Sequence, residues 1–135
     1  MALYTETAFA GWKDRVKRSV NQMEKVMGAR LSTWQTRNWS VRAHLVRLRY
    51  FHPPHYRQWM CIHHYEGSWT DDNAPYWGGL QMDLGFQRTY GRYLLATKGT
   101  ANHWNPLEQM WVAEKAYATR GFYPWPNTAR YCGLI

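Results

Sequence analysis

Two consecutive prolines, Pro53 and Pro54, divide the chain into two parts of different character. Proline lacks a backbone N–H and disfavours helix in the residue before it, so a helix arriving from the N-terminal side must end here. Residues 1–54 contain ten Lys/Arg and three acidic residues, whereas residues 55–135 contain seven and six. We therefore predict a basic N-terminal segment at 1–54 and a separate domain at 55–135.

The basic segment shows two amphipathic helical patterns. Apolar residues recur at spacings of three and four from about Phe9 to Met27 and again from Ser32 to about Tyr50. These patterns predict a basic helical hairpin. The basic face of this hairpin suits an anionic wall polymer, an anionic lipid or nucleic acid. The open alternative is a hairpin that only packs against the next domain or itself, with its basic face in solvent.

Residues 55–135 carry the signals of a mainly α-helical domain. An apolar helix is predicted over Arg57–Tyr65, and a second from a cap at Asp83 to about Thr97. A third is predicted over residues 105–120, because it opens with Asn, Pro and, at the third position, Glu, as in a capping box. Between the first two, Tyr76–Met82 contains two glycines and predicts a short β-hairpin.

Glu66 follows the first predicted helix and is surrounded in sequence by aromatic residues. The partly negative end of a helix, together with neighbours that exclude water, raises the pKa of a carboxyl group. A carboxyl that keeps its proton near neutral pH can act as a general acid on a glycosidic bond. Asp71 and Asp72 are candidates for a second carboxylate, although a glutamate after a helix is more often a surface residue.

Five short motifs follow one another in order over about residues 56–134. They are Cys61…Glu66-Gly67…Trp69, then Tyr76-Trp77-Gly78-Gly79-Leu80-Gln81-Met82, Thr89-Tyr90-Gly91, Glu108-Gln109-Met110 leading into Val112-Ala113-Glu114, and Arg120-Gly121…Trp125-Pro126. In this order they resemble the transglycosylase-like domain of actinobacterial resuscitation-promoting factors.

The resemblance implies a small lysozyme-like fold, mainly α with a minimal β-hairpin, and cleavage of the β-1,4 bond between N-acetylmuramic acid and N-acetylglucosamine in peptidoglycan. It assigns the catalytic acid to Glu66 and implies neither a cofactor nor a metal. In lytic transglycosylases the sugar's own hydroxyl gives an anhydro product, whereas goose-type lysozymes, with a similar helix-end glutamate, hydrolyse, and both outcomes are open. The implied cleft residues are Trp69, Tyr76, Trp77, Gln81, Thr89, Trp104 and Trp125. The shorter spacing from Glu66 to Trp69 is a departure from the family.

The two cysteines are also displaced from the family pattern. The family has one immediately before the glutamate and one just after Trp-Pro, whereas Cys61 lies four residues before Tyr65 and Cys132 lies about four residues late. Four residues are about one helical turn, which keeps the same face. The resemblance therefore implies a Cys61–Cys132 disulfide, although the count alone leaves free thiols open.

The expected location is extracellular or cell-wall associated, with peptidoglycan strands as partner and anionic wall polymers as a second partner for residues 1–54. No signal peptide and no membrane-spanning stretch is visible, and no nucleic acid partner is expected. Three alternatives stay open. One is a non-catalytic glycan-binding module that uses some of the nine Trp and ten Tyr as platforms. The others are a metal hydrolase built on His63, Glu66 and His103, and a nucleic-acid binder in residues 1–54.

Overall fold

The computed structural model describes residues 49–135 together with Arg18 and Asn21. Arg18 and Asn21 are both helical and exposed. The basic hairpin predicted in residues 1–54 lies otherwise almost entirely outside the described residues.

The chain divides into two compact units, residues 1–51 and 52–135. The second unit is mainly α-helical, which confirms the predicted fold class, and the lysozyme-like arrangement of its helices stays a prediction. The β-hairpin predicted over Tyr76–Met82 is reduced to one antiparallel bridge between Trp77 and Met82. The helices are α1 (Tyr56–Glu66), α2 (Leu84–Tyr90), α3 (Arg92–Lys98), a short 3₁₀ helix (Ala101–His103), α4 (Pro106–Arg120) and α5 (Pro126–Tyr131).

Helix α1 is fixed by its buried face and at its first turn. Trp59 and Ile62 are completely buried, and each such side chain contributes about 2 kcal/mol of hydrophobic stabilisation. His55, just before α1, donates its backbone N–H to the Glu114 carboxylate at 2.9 Å, and its ring Nδ1 lies 2.6 Å from the other oxygen. These contacts hold α1 against α4, so that the far end of α1 has a defined position.

The single helix predicted from Asp83 to Thr97 is two helices in the structure. The predicted cap forms, because Asp83 Oδ1 accepts from the Phe86 N–H at 2.7 Å. The interruption falls at Gly91, whose backbone leaves the helical conformation at φ −126°. The Trp104 ring packs so close to Gly91 that a Cβ there would lie 2.6 Å from it. The sequence pattern shows the apolar face of α2 and α3 but not this approach of a distant tryptophan.

Helix α4 begins with the predicted capping box. The Asn105 side chain accepts from the Glu108 N–H at 2.8 Å, and the Glu108 carboxylate accepts from the Asn105 N–H at 2.9 Å. Lys98 also donates to both oxygens of Glu108, at 2.9 and 2.8 Å. The start of α4 is therefore tied to the end of α3.

Gln109 connects α4 to the segment after α1. Its side chain is completely buried. Oε1 accepts from the Gly79 N–H at 2.8 Å, and Nε2 donates to the carbonyl oxygens of Trp69 and Trp104, both at 2.9 Å. Buried polar groups are costly unless they are paired, and both N–H groups and the oxygen of this amide have partners. The Gln109 amide therefore fixes the position of residues 67–82.

Candidate active site

Glu66 is the last residue of α1, as predicted from the sequence, and its side chain is partly buried. Thr128, in the first turn of α5, donates its hydroxyl to Oε1 of Glu66 at 2.9 Å. Burial raises the pKa of Glu66, and the hydrogen bond from Thr128 lowers it in part. The carboxyl group therefore keeps its proton to a higher pH than an exposed glutamate does.

A disulfide holds the helix that supplies Thr128 against the helix that ends in Glu66. Cys61 in α1 is bonded to Cys132, with the two Cα atoms 6.1 Å apart, so the implied pairing is confirmed. The same two helices are also in contact through the Tyr65 and Tyr131 rings, whose centroids are 5.6 Å apart.

Asp71 provides a second carboxylate in the loop after α1. Its Oδ1 accepts from the backbone and side-chain N–H groups of Asn73, at 3.0 and 2.8 Å, and its Oδ2 accepts from Gln81 Nε2 at 2.9 Å. These bonds, chiefly the backbone bond from Asn73, lower the pKa of Asp71. A Cβ on Gly67 would lie 3.2 Å from both Asp71 Oδ2 and Gln81 Nε2. The Asp71–Gln81 pair therefore lies against the residue that follows Glu66.

The pKa values of these two carboxyl groups are thus shifted in opposite directions. The pKa of Glu66 is raised by burial, whereas hydrogen bonds lower that of Asp71. A pair whose pKa values are separated in this way can supply a proton donor and a fixed anion at the same pH. Asp72, the other candidate, is exposed.

The Gly78–Gly79 pair is required by close packing. A Cβ on Gly78 would lie 2.4 Å from Gln109 Oε1, and a Cβ on Gly79 would lie 2.4 Å from the Trp69 ring. Gln81 has φ 49°, which is uncommon for a residue other than glycine. A hydrogen bond from its Nε2 to the Gly78 carbonyl, at 2.9 Å, holds it there. The turn thus fixes where the Gln81 amide lies.

A groove of about 420 Å³ opens beside this turn. Four residues from the predicted cleft line it, namely Tyr76, Gln81, Thr89 and Trp125. Trp125 is only 4% exposed and donates its Nε1–H to the Leu80 carbonyl at 2.7 Å, so it forms part of the floor. Tyr76 is 48% exposed and offers a ring to a ligand. Phe86, Tyr90 and Arg120 are among the other lining residues.

The remaining predicted cleft residues are not among those that line the groove. Trp69 stacks on His63, with ring centroids 3.9 Å apart and planes 18° apart, and Trp77 forms the bridge to Met82. Trp104 is 2% exposed, in the core.

Glu66 does not line the groove either. Gln81 connects the groove with the end of α1. The Gln81 side chain lines the groove, and its amide nitrogen lies against Gly67. Gln81 is therefore the residue that both lines the groove and contacts the segment following Glu66.

Sequence reasoning missed Thr128 and Arg120. A signal for Thr128 was present, because it lies one helical turn before Cys132 and so faces α1 once the disulfide is assumed. Arg120 was noted only as part of a motif, since nothing in the local pattern shows that the chain after α4 returns to the groove.

No group of three or more metal-binding side chains occurs within the described residues. His63 Nδ1 lies 3.1 Å from the Gly79 carbonyl, and the His103 ring nitrogen lies 3.3 Å from the carbonyl of Thr100. Within residues 49–135, neither of these hydrogen bonds involves Glu66, and neither histidine forms a salt bridge with it.

Comparison of the chain with protein-family models, curated proteins and solved structures found no match. Among the helices that the structure describes, none has the length and apolar character needed to cross a bilayer.

Proposed function

We propose that this chain is a muralytic enzyme that cuts the β-1,4 bond between N-acetylmuramic acid and N-acetylglucosamine in peptidoglycan, with Glu66 as the general acid. The observation that supports it most is the contrast between Glu66, whose pKa is raised by burial, and Asp71 in the loop that follows, whose pKa is lowered by hydrogen bonds. Glycoside cleavage needs a proton donor that is still protonated when the neighbouring carboxylate is ionised.

The chemistry follows from these two groups. Glu66 donates its proton to the glycosidic oxygen as the bond from that oxygen to the anomeric carbon breaks. Positive charge develops on the sugar ring, and in this proposal the anionic Asp71, in the loop after α1, stabilises it electrostatically. The anomeric carbon is then captured by water or by a hydroxyl of the same sugar. Glu66, now a carboxylate, takes the proton that the attacking hydroxyl releases.

The groove supplies the binding surface for the glycan. Tyr76 offers a ring face for stacking on a sugar, and Gln81 and Thr89 offer polar groups at the lining. The disulfide suits an oxidising compartment, and we therefore place the enzyme outside the cell or on the wall. In this proposal the basic residues 1–54 bind anionic wall polymers.

Arg120 favours an acidic glycan over a neutral one. It lines the groove and is exposed, and no carboxylate of the described residues forms a salt bridge with it. A guanidinium group pairs well with a carboxylate. Peptidoglycan carries carboxylates on its stem peptides, and on lactyl groups that bear no peptide, whereas chitin carries none.

Replacing Arg120 with Gln should therefore weaken the interaction with peptidoglycan fragments and leave neutral chito-oligosaccharides unaffected. The expected rise in KM is about fivefold, since a solvent-exposed ion pair contributes at most about 1 kcal/mol. Steady-state kinetics on the two substrates measures it, and Arg92→Gln, an exposed cation on α3, is the control. Equal effects on both glycans, or on neither, would contradict the role of Arg120.

The proposal is tested by release of dye-labelled fragments from purified peptidoglycan by the full chain. Retention of the protein on the same sacculi is measured in parallel by sedimentation. We expect release that depends on time and enzyme concentration. Retention without release would instead mean a non-catalytic wall-binding module.

A further inference from the structure

The hydrogen bond between Thr128 and Glu66 is a defined contact in the interior of the site. Thr128 is 8% exposed, and its Oγ1 lies 2.9 Å from Glu66 Oε1. The other acceptor within reach of the same hydroxyl is the Trp125 carbonyl, at 3.4 Å. A hydroxyl has a single proton to donate, and the shorter donor–acceptor distance favours the bond to Glu66.

Helices α1 and α5 are held in a fixed register around this contact. Glu66 lies five residues after Cys61, and Thr128 lies four residues before Cys132. At a rise of about 1.5 Å per residue these steps correspond to roughly 7.5 and 6 Å. The helices therefore run antiparallel along this seam, with the disulfide at one point and the Glu66–Thr128 pair about one turn further on. The covalent bridge limits how far the hydroxyl can move from the carboxylate.

We propose that Thr128 is a positioning residue: its hydroxyl occupies Oε1 of Glu66 and thereby assigns the transferable proton to Oε2. This inference rests on the proposed function, in which Glu66 is the acid. A protonated carboxyl group has one oxygen that carries the proton and one that only accepts. Because Thr128 donates to Oε1, the protonated acid is most stable with its proton on Oε2. The hydroxyl thus fixes which oxygen faces the glycosidic bond, and it limits rotation of the carboxyl group.

The same bond also affects the pH range over which the acid keeps its proton. The titratable side chains on the elements around Glu66 include His63 and Tyr65 on α1, Tyr131 on α5 and Asp71 in the loop, and none of them is a cause of its pKa shift. Burial raises the pKa of Glu66 and the Thr128 bond opposes it. Removing the hydroxyl leaves burial unopposed, so the pKa of Glu66 rises further. The fall in activity on the alkaline side, where Glu66 loses its proton, then moves to higher pH.

The test compares Thr128→Val and Thr128→Ser in the full chain. Valine keeps the shape without the hydroxyl, and serine keeps the hydroxyl. For valine we expect kcat to fall roughly tenfold with little change in KM, because an acid that is not held spends less time in the productive orientation. We also expect the alkaline limb of the pH profile to move upward, and serine to restore both properties. Thr128→Ala is the second variant should valine disturb the packing of α5.

A direct titration separates this inference from the proposed function. The carboxyl carbon of Glu66 is followed by NMR in protein with labelled glutamate, and Glu66→Gln assigns the signal. The valine or alanine variant should titrate at higher pH than the unmodified protein and the serine variant close to it, whether or not peptidoglycan is cleaved. Identical titration of all these proteins, or valine kinetics that serine does not restore, would overturn the inference. Absence of cleavage together with the expected titration would count against the proposed function alone.

Discussion

Replacing Glu66 with Gln lowers kcat on peptidoglycan by about 10²- to 10⁴-fold, the contribution typical of a positioned general acid. Glutamine keeps the size of the side chain and can still accept the Thr128 hydrogen bond, but it has no proton to give to the glycosidic oxygen. The expected loss therefore lies in kcat rather than in KM. Initial rates of fragment release, measured over a range of substrate concentrations, separate the two.

The unfolding temperature shows whether this loss of kcat comes from the missing proton donor rather than from a damaged fold. The pKa of Glu66 is raised in the fold, so its contribution to stability decreases as pH rises through that pKa. Glutamine does not ionise, and the variant should unfold at a temperature no lower than the unmodified protein at neutral pH. Asp72→Asn, at an exposed position of the loop after α1, is the matched control and should keep full activity. A Glu66→Gln protein that retains most of its kcat would rule out Glu66 as the acid.

Replacing Gln109 with Met has the largest expected effect on stability. The buried amide makes three hydrogen bonds, to the Gly79 N–H and to the carbonyl oxygens of Trp69 and Trp104. Methionine has a similar shape but leaves these groups unpaired in the interior. Each unpaired group costs about 1–3 kcal/mol, and together we expect a loss of about 3–5 kcal/mol in the free energy of unfolding. Denaturant unfolding followed by circular dichroism measures this loss.

The same variant should also lose activity, because Gln109 holds the turn from which Gln81 reaches Asp71. Gln58→Met is the matched control, since Gln58 is partly exposed on α1. That change should alter the free energy of unfolding by no more than about 0.5 kcal/mol. Equal stability of the two variants would mean that the amide bonds do not fix the turn.

Local signals in the sequence predict much of the fold. The capping box at Asn105 and the cap at Asp83 act within four residues, and both form as predicted. The position of Glu66 at a helix end is local in the same sense. The break at Gly91 was missed, and the Trp104 ring that packs against Gly91 comes from a later segment of the chain.

The site itself is less predictable, because its contacts join residues far apart in the chain. The Glu66–Thr128 bond spans 62 residues, and no periodicity encodes it. Trp69 and Trp104 were expected in a cleft on the basis of the resemblance, since residue type does not distinguish a packed indole from a stacking platform. Asp71 was one of two candidates for a second carboxylate, and the hydrogen bond from Gln81, ten residues along the chain, is the contact that the sequence does not reveal.

The most direct test of the central claim is the identity of the products. Purified peptidoglycan is digested with the full chain in heavy-oxygen water, and the soluble fragments are analysed by mass spectrometry. We predict disaccharide-peptide fragments that end in N-acetylmuramic acid, either as an anhydro sugar without the label or as a labelled reducing end. Fragments cut only in the peptides, or no fragments at all, would contradict the assignment of this chain as an enzyme that cleaves the glycan strand.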